Sequence, residues 1–135
     1  MKYLLDTDIC IFFLQNKFGM VEKIDAAGQS NCYISFMTIV ELKYGAENSD
    51  NPNKHRQEVE QFMQDFQVIP LGYDIADTFA KEKARLRKAG TPIDSFDLLI
   101  GSTALTKDLI IITGNQKHFS KIKDIQIDNW IAGKR

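Results

Sequence analysis

The chain has 135 residues, 44% of them hydrophobic and 26% charged, with a net charge of −1. That composition is ordinary for a soluble globular protein large enough to bury a sizeable core, so the expectation is a single domain over residues 1–135. It offers no bulk positive charge to announce a nucleic-acid binder, and its longest apolar run, Ile9 to Leu14, is far too short to cross a bilayer.

The first predicted element is a strand over about residues 2–6, where Tyr3, Leu4 and Leu5 are apolar. It begins directly after Met1-Lys2, without the basic region, apolar stretch and cleavage site of a signal peptide. A helix over about 8–15 follows, with Ile9, Phe12 and Phe13 on its apolar face, and a second helix over about 18–27. Residues 32–35 read as a strand and 36–48 as a helix. The polar stretch "ENSDNPNKHRQ" reads as a loop with Pro52 near a helix start, and the next helix fills about 53–66. A strand at 67–70 precedes a helix over 73–89, which opens behind Asp74 and ends at Gly90 with Pro92 beyond. A helix over 95–107, a strand over 109–113 and a last strand near 125–128 complete the series. "LIIIT" is a continuous β-branched run, as expected of a strand covered on both faces. Alternation of this kind predicts an α/β fold, with a mostly parallel central sheet between two layers of helices.

The two cysteines, Cys10 and Cys32, stand in apolar settings without metal-ligand spacing and read as buried free thiols in a reducing cytoplasm. Chemistry is better sought among the carboxylates. Asp6 and Asp8 fall where the first strand gives way to a helix, an edge at which open α/β sheets place their sites. Asp8 is expected to cap that helix, whereas Asp6 lies too early for a cap. Glu41 sits in "ISFMTIVELKYG", one helical turn from Thr38 and Tyr44. In "TPIDSFDLLIGSTAL", Asp94 reads as an N-cap and Asp97, three residues on, as a possible partner in a capping box. Several carboxylates gathered at one edge repel one another, and a hard divalent cation removes that conflict. Such an ion can activate water and stabilise charge on a phosphodiester. The sequence carries no G-x-S-x-G elbow, no Walker A or G-x-G-x-x-G loop, and no Cys/His set for zinc. Basic residues cluster in "KEKARLRKAG" and around Lys117, His118, Lys121 and Lys123, where they could follow a phosphate backbone or simply form solvated faces.

Four segments in order, "YLLDTDICIFFL", "ISFMTIVELKYGAE", "GTPIDSFDLLIGSTAL" and "LIIITGNQKHFSKIKDIQIDNW", resemble the PIN-domain ribonucleases, specifically the VapC toxins of bacterial toxin–antitoxin pairs. The resemblance implies a three-layer PIN domain that cleaves RNA, frequently tRNA, with Mg²⁺ or Mn²⁺, leaving a 3′-hydroxyl and a 5′-phosphate. It also implies a VapB-type antitoxin partner and a homodimer. By the same resemblance Asp6, Glu41 and Asp97 are the catalytic, metal-binding acids, with Asp8, Asp94, Thr113 and Asn115 in supporting positions. Lys83, Arg85, Arg87 and Lys117 are candidates to hold the RNA, and Phe12, Phe13, Phe18 and Met20 to meet an antitoxin helix. Asn115 stands where many PIN domains have Asp, which points to one metal ion rather than two and leaves open a binding-only domain. The Asp-x-Asp after an apolar strand also opens haloacid-dehalogenase-type phosphatases, although Cys10 stands where those enzymes have Thr or Val.

Overall fold

The computed structural model describes residues 1–131. Five parallel strands form one sheet: β1 (Tyr3–Leu5), β2 (Cys32–Ser35), β3 (Gln67–Ile69), β4 (Ile110–Ile112) and β5 (Ile127–Asp128), in the spatial order β3-β2-β1-β4-β5. The central strand is therefore the first in sequence. Leu5 of β1 pairs with Ile34 on one side and Ile112 on the other, so three strands end level with one another.

Side chains alternate across a strand, and this decides the layering. Leu5 enters a core with Ile9 and Cys10 of α1 (Thr7–Leu14), Met20 and Ile24 of α2 (Met20–Ala27), Ile39 and Leu42 of α3 (Phe36–Glu47) and Phe62 of α4 (Pro52–Asp65). Its neighbour Leu4 faces the other way, toward Leu86 of α5 (Tyr73–Lys88), Leu98 and Ile100 of α6 (Ser95–Thr106) and Phe119 of the short α7 (Gln116–Phe119). The expected α/β/α layering with a parallel sheet is what the chain adopts.

Differences from the sequence-based expectation concern ends and short elements. Pro52 is the first residue of α4, with Asn51 as its cap, one residue before the expected start, and His55 on this helix pairs with Glu58 at 2.8 Å. Gly72, not Asp74, is the cap of α5, and Asp74 occupies its first turn. The four residues of α7 were expected as loop; so short a helix carries no readable period. Cys10 and Cys32 are buried free thiols, and burial raises the pKa of both. Among the described residues no helix is long and apolar enough to cross a membrane. One contact within the layer on the Leu4 side needs a residue without a side chain. A Cβ on Gly101 would lie 2.4 Å from the Ile122 Cδ1 atom, so glycine lets α6 approach the segment after α7.

Candidate functional site

The chain leaves β1, β2 and β4 at the same edge of the sheet, and each exit carries polar residues. Asp6 follows β1 and is 5% exposed. Its Oδ1 accepts from the Thr7 backbone N–H at 2.8 Å and its Oδ2 from the Thr113 hydroxyl at 2.7 Å. Asp6 is therefore the N-cap of α1, the role expected of Asp8. The helix begins one residue earlier than its apolar pattern indicated, which brings Asp6 into capping position. Asp8, inside the first turn, accepts from the Ile9 N–H at 2.7 Å and from the Gly114 N–H at 3.3 Å. A side chain at Gly114 would crowd that carboxylate, since its Cβ would stand 3.1 Å from Asp8 Oδ2.

Glu41 projects from α3 toward α1, where the Thr7 hydroxyl donates to its Oε1 at 2.5 Å. The Thr7 oxygen also lies 3.0 Å from that of Thr38, which is buried. With Thr7 donating to Glu41, Thr38 must be the donor to Thr7, and the two hydroxyls form a chain that fixes Glu41.

Asp94 caps α6 as expected, accepting at Oδ2 from the N–H groups of Phe96 at 3.0 Å and Asp97 at 3.3 Å. Asp97 is not spent on closing a capping box. Its Oδ2 lies instead 3.4 Å from Nδ1 of His118, and that ring nitrogen is 2.9 Å from the Asn115 side-chain amide. Asn115 is tied back by its backbone N–H, which donates to the Thr113 hydroxyl at 2.9 Å. Thr7 is a residue at this edge to which the sequence suggested no role, and His118 was legible only as a member of a basic cluster, not as a neighbour of Asp97. An Asn115–His118 spacing of three would have placed both on one helical face, had α7 been predicted.

The electrostatics follow from crowding like charges in a partly dry edge. Burial, then the charge of Asp8, pushes the Asp6 carboxyl up to about 7, against the hydrogen bonds from Thr113 and Thr7. Burial also raises Asp8, Glu41 and Asp97, and the Asp97 charge adds to the rise at Asp6, Asp8 and Glu41. The edge is thus a set of hard oxygen donors whose charged forms lack compensation, which is the donor chemistry a small divalent cation satisfies. Among the described residues no three His, Cys, Asp or Glu side chains close into a ready-made cage. The fit to an ion such as Mg²⁺ rests on donor chemistry: carboxylate oxygens are what it takes, with several waters completing its shell. The residues fit such an ion.

Of the four basic candidates, Lys117 on α7 and Arg87 on α5 are exposed. Lys83 donates to the Ser95 hydroxyl at 3.2 Å, beside the start of α6. Arg85 is tied down by both Glu82 oxygens at 2.8 Å and the Lys121 carbonyl at 2.9 Å. Residues two apart on a helix lie about 200° apart around it, so Lys83 and Arg85 face different ways. The apolar candidates divide similarly: Met20 is fully buried, Phe12 and Phe13 pack against the core, and Phe18 is exposed. A groove of about 250 Å³ lies elsewhere, between α1, α3 and α4, lined by Ile11, Leu14, Leu42 and Val59, with Glu41 and His55 also at its wall.

The family described as the PIN domain matches residues 3–125. The tRNA(fMet)-specific endonuclease VapC of Shigella flexneri is 32% identical over 130 residues, covering 96% of this chain and 98% of that one. The chain belongs to the VapC family of PIN domains. Ribonuclease VapC2 of Haemophilus influenzae strain Rd is 28% identical over 97% of this VapC-family chain and 99% of its own length. Among solved structures, the chain in the DNA-bound VapBC of Salmonella typhimurium superposes with a TM-score of 0.89 at 32% identity, covering 96% of this chain and 98% of that one. VapBC-1 of nontypeable Haemophilus influenzae gives 0.86 at 31%, with 96% and 98% covered. Family membership sets aside the haloacid-dehalogenase alternative.

Proposed function

We propose that this protein is a metal-dependent endoribonuclease, the toxin of a VapBC-type pair, built as one PIN domain and acting in the cytoplasm on RNA, with tRNA as the first substrate to test. The observation that carries the reading is the gathering of Asp6, Asp8, Glu41 and Asp97 at one sheet edge, where burial first, and then the charge of a neighbouring carboxylate, raises the pKa of each. The names of its relatives support the reaction class and the substrate.

In this proposal Asp6, Glu41 and Asp97 hold Mg²⁺ or Mn²⁺, with Asp8 and Asp94 shaping the surroundings. The bound ion supplies water activation and charge stabilisation at the phosphodiester. The protein supplies alignment. Thr113 and the Thr7 N–H fix both oxygens of Asp6, and the Thr7 hydroxyl fixes Glu41. Asp94, by capping α6, sets the helix that presents Asp97. Lys117, Arg87 and Lys83 are assigned to backbone phosphates, contacts that position RNA without reading its sequence. A VapB-type antitoxin segment is assigned to the apolar groove between α1, α3 and α4, whose wall reaches Glu41. The likeness to chains in VapBC complexes supports that partner, and a homodimer belongs to the same proposal.

The test is incubation of purified protein with a total tRNA pool and Mg²⁺ or Mn²⁺, beside EDTA and an Asp97→Asn variant. Asp94 keeps its cap in that variant, so α6 stays folded while cleavage falls by about a hundredfold or more. Cleavage that survives both EDTA and the substitution refutes the assignment. A folded, metal-loaded protein that binds RNA without cutting it would favour the binding-only alternative.

A further inference from the structure

The His118 imidazole is not needed by the fold or by the reading above, yet it stands at the carboxylate edge. Its Nδ1 is 2.9 Å from the Asn115 side-chain amide and 3.4 Å from Asp97 Oδ2. One ring nitrogen cannot accept from an amide N–H and donate to a carboxylate at the same time. If it accepts from Asn115, its lone pair lies against a carboxylate oxygen, and two electron-rich atoms meet. The two ends of an Asn amide are isosteric, and turning this one places its oxygen beside the ring. An amide oxygen, an imidazole nitrogen and a carboxylate oxygen then face one another. Neighbouring ligands of an octahedral ion bound at 2.0–2.1 Å stand about 3 Å apart, close to both separations observed here.

Resting on the metal-dependent reading, we propose that His118 supplies an imidazole nitrogen to the ion held at this edge, beside Asp97 and the Asn115 amide oxygen. An imidazole ligand favours Mn²⁺ and later transition ions over Mg²⁺, which prefers oxygen throughout. The backbone supports the placement, since the Asn115 N–H donates to the hydroxyl that holds Asp6, and one segment thereby serves both halves of the site.

Pulsed electron paramagnetic resonance of the Mn²⁺-loaded protein tests this directly, because a coordinating imidazole nitrogen couples to the electron spin. The expected result is a nitrogen coupling that persists in His55→Gln and disappears in His118→Gln while Mn²⁺ stays bound. His55 is the only other histidine, so the pair of variants assigns the signal. In competition titrations His118→Gln should weaken Mn²⁺ by about tenfold or more and Mg²⁺ much less. Bound Mn²⁺ without nitrogen coupling, a coupling that survives His118→Gln, or an equal loss of both metals overturns the inference and leaves the nuclease reading intact. The imidazole would then donate Nδ1–H to Asp97 and only orient it. Failure of Mn²⁺ to bind at all overturns both.

Discussion

Asp6→Asn should make the metal-free protein more stable. The side chain is 5% exposed, and its carboxyl is held up to about 7 from an ordinary 3.8. Unfolding releases the group to ionise freely, so at pH 8 the folded state bears a cost of about 4 kcal/mol. The sign is definite. The cost is complete above about pH 7, shrinks as pH falls and vanishes below 3.8, where the group is protonated in both states. Asparagine removes the charge but keeps the cap, because Asn and Asp cap helices equally well and its amide oxygen can still accept from the Thr7 N–H. The neighbouring Asp8 also loses a repelling charge. Urea unfolding in EDTA at pH 8, 6 and 4 is the assay. The expected gain is about 1–4 kcal/mol at pH 8, mostly gone by pH 4. Mg²⁺ or Mn²⁺ should stabilise the native protein at pH 8 and do little for the variant, which should also lose cleavage. An Asp6→Asn protein no more stable than the native one in EDTA at pH 8 would refute the idea that this carboxylate is buried at a cost.

Other consequences follow from the packing and the basic helix. Gly101→Ala should destabilise by about 1–3 kcal/mol, because the new methyl group would sit 2.4 Å from the terminal carbon of the buried Ile122; chemical denaturation measures it. Arg87→Ala and Lys117→Ala should each weaken binding to a catalytically inactive Asp97→Asn protein and reduce the salt dependence of RNA affinity by about one phosphate contact. Arg85→Ala should leave both unchanged, since its guanidinium is held by Glu82 and the Lys121 carbonyl. A fall for Arg85→Ala as large as for Arg87→Ala would show that the ion pair opens to receive RNA.

The layered architecture was legible because strands buried on both faces leave continuous apolar runs and the helices leave apolar stripes. "LIIIT" at β4 and the stripe of α5 are the clearest examples. The carboxylates were legible by position, being polar residues where an apolar strand meets a helix. What they touch was not. Asp6 turned out to cap α1 because the helix starts at Thr7, a one-residue difference that periodicity does not resolve. The meeting of Asp97 with His118 spans 21 residues and depends on the four-residue α7, which leaves no pattern. The basic cluster left open which of its residues share a face, for a geometric reason. "KEKARLRK" looks like one basic patch, but its alternate residues point to different sides of α5, and Arg85 faces Glu82 and the segment after α7.

The hydrogen bond between Thr113 and Asp6 joins residues 107 apart, and Asp6 lies at the end of the strand that is central in the sheet and first in the chain. A ribosome therefore delivers Asp6 107 residues before the hydroxyl that tethers it. A chain that has grown as far as β3 possesses Asp6 and Glu41 but neither Asp97 nor Thr113. For the proposed nuclease, the topology acts as a delay: the edge that gathers Asp6, Glu41 and Asp97 cannot close until β4 and Thr113 have been made.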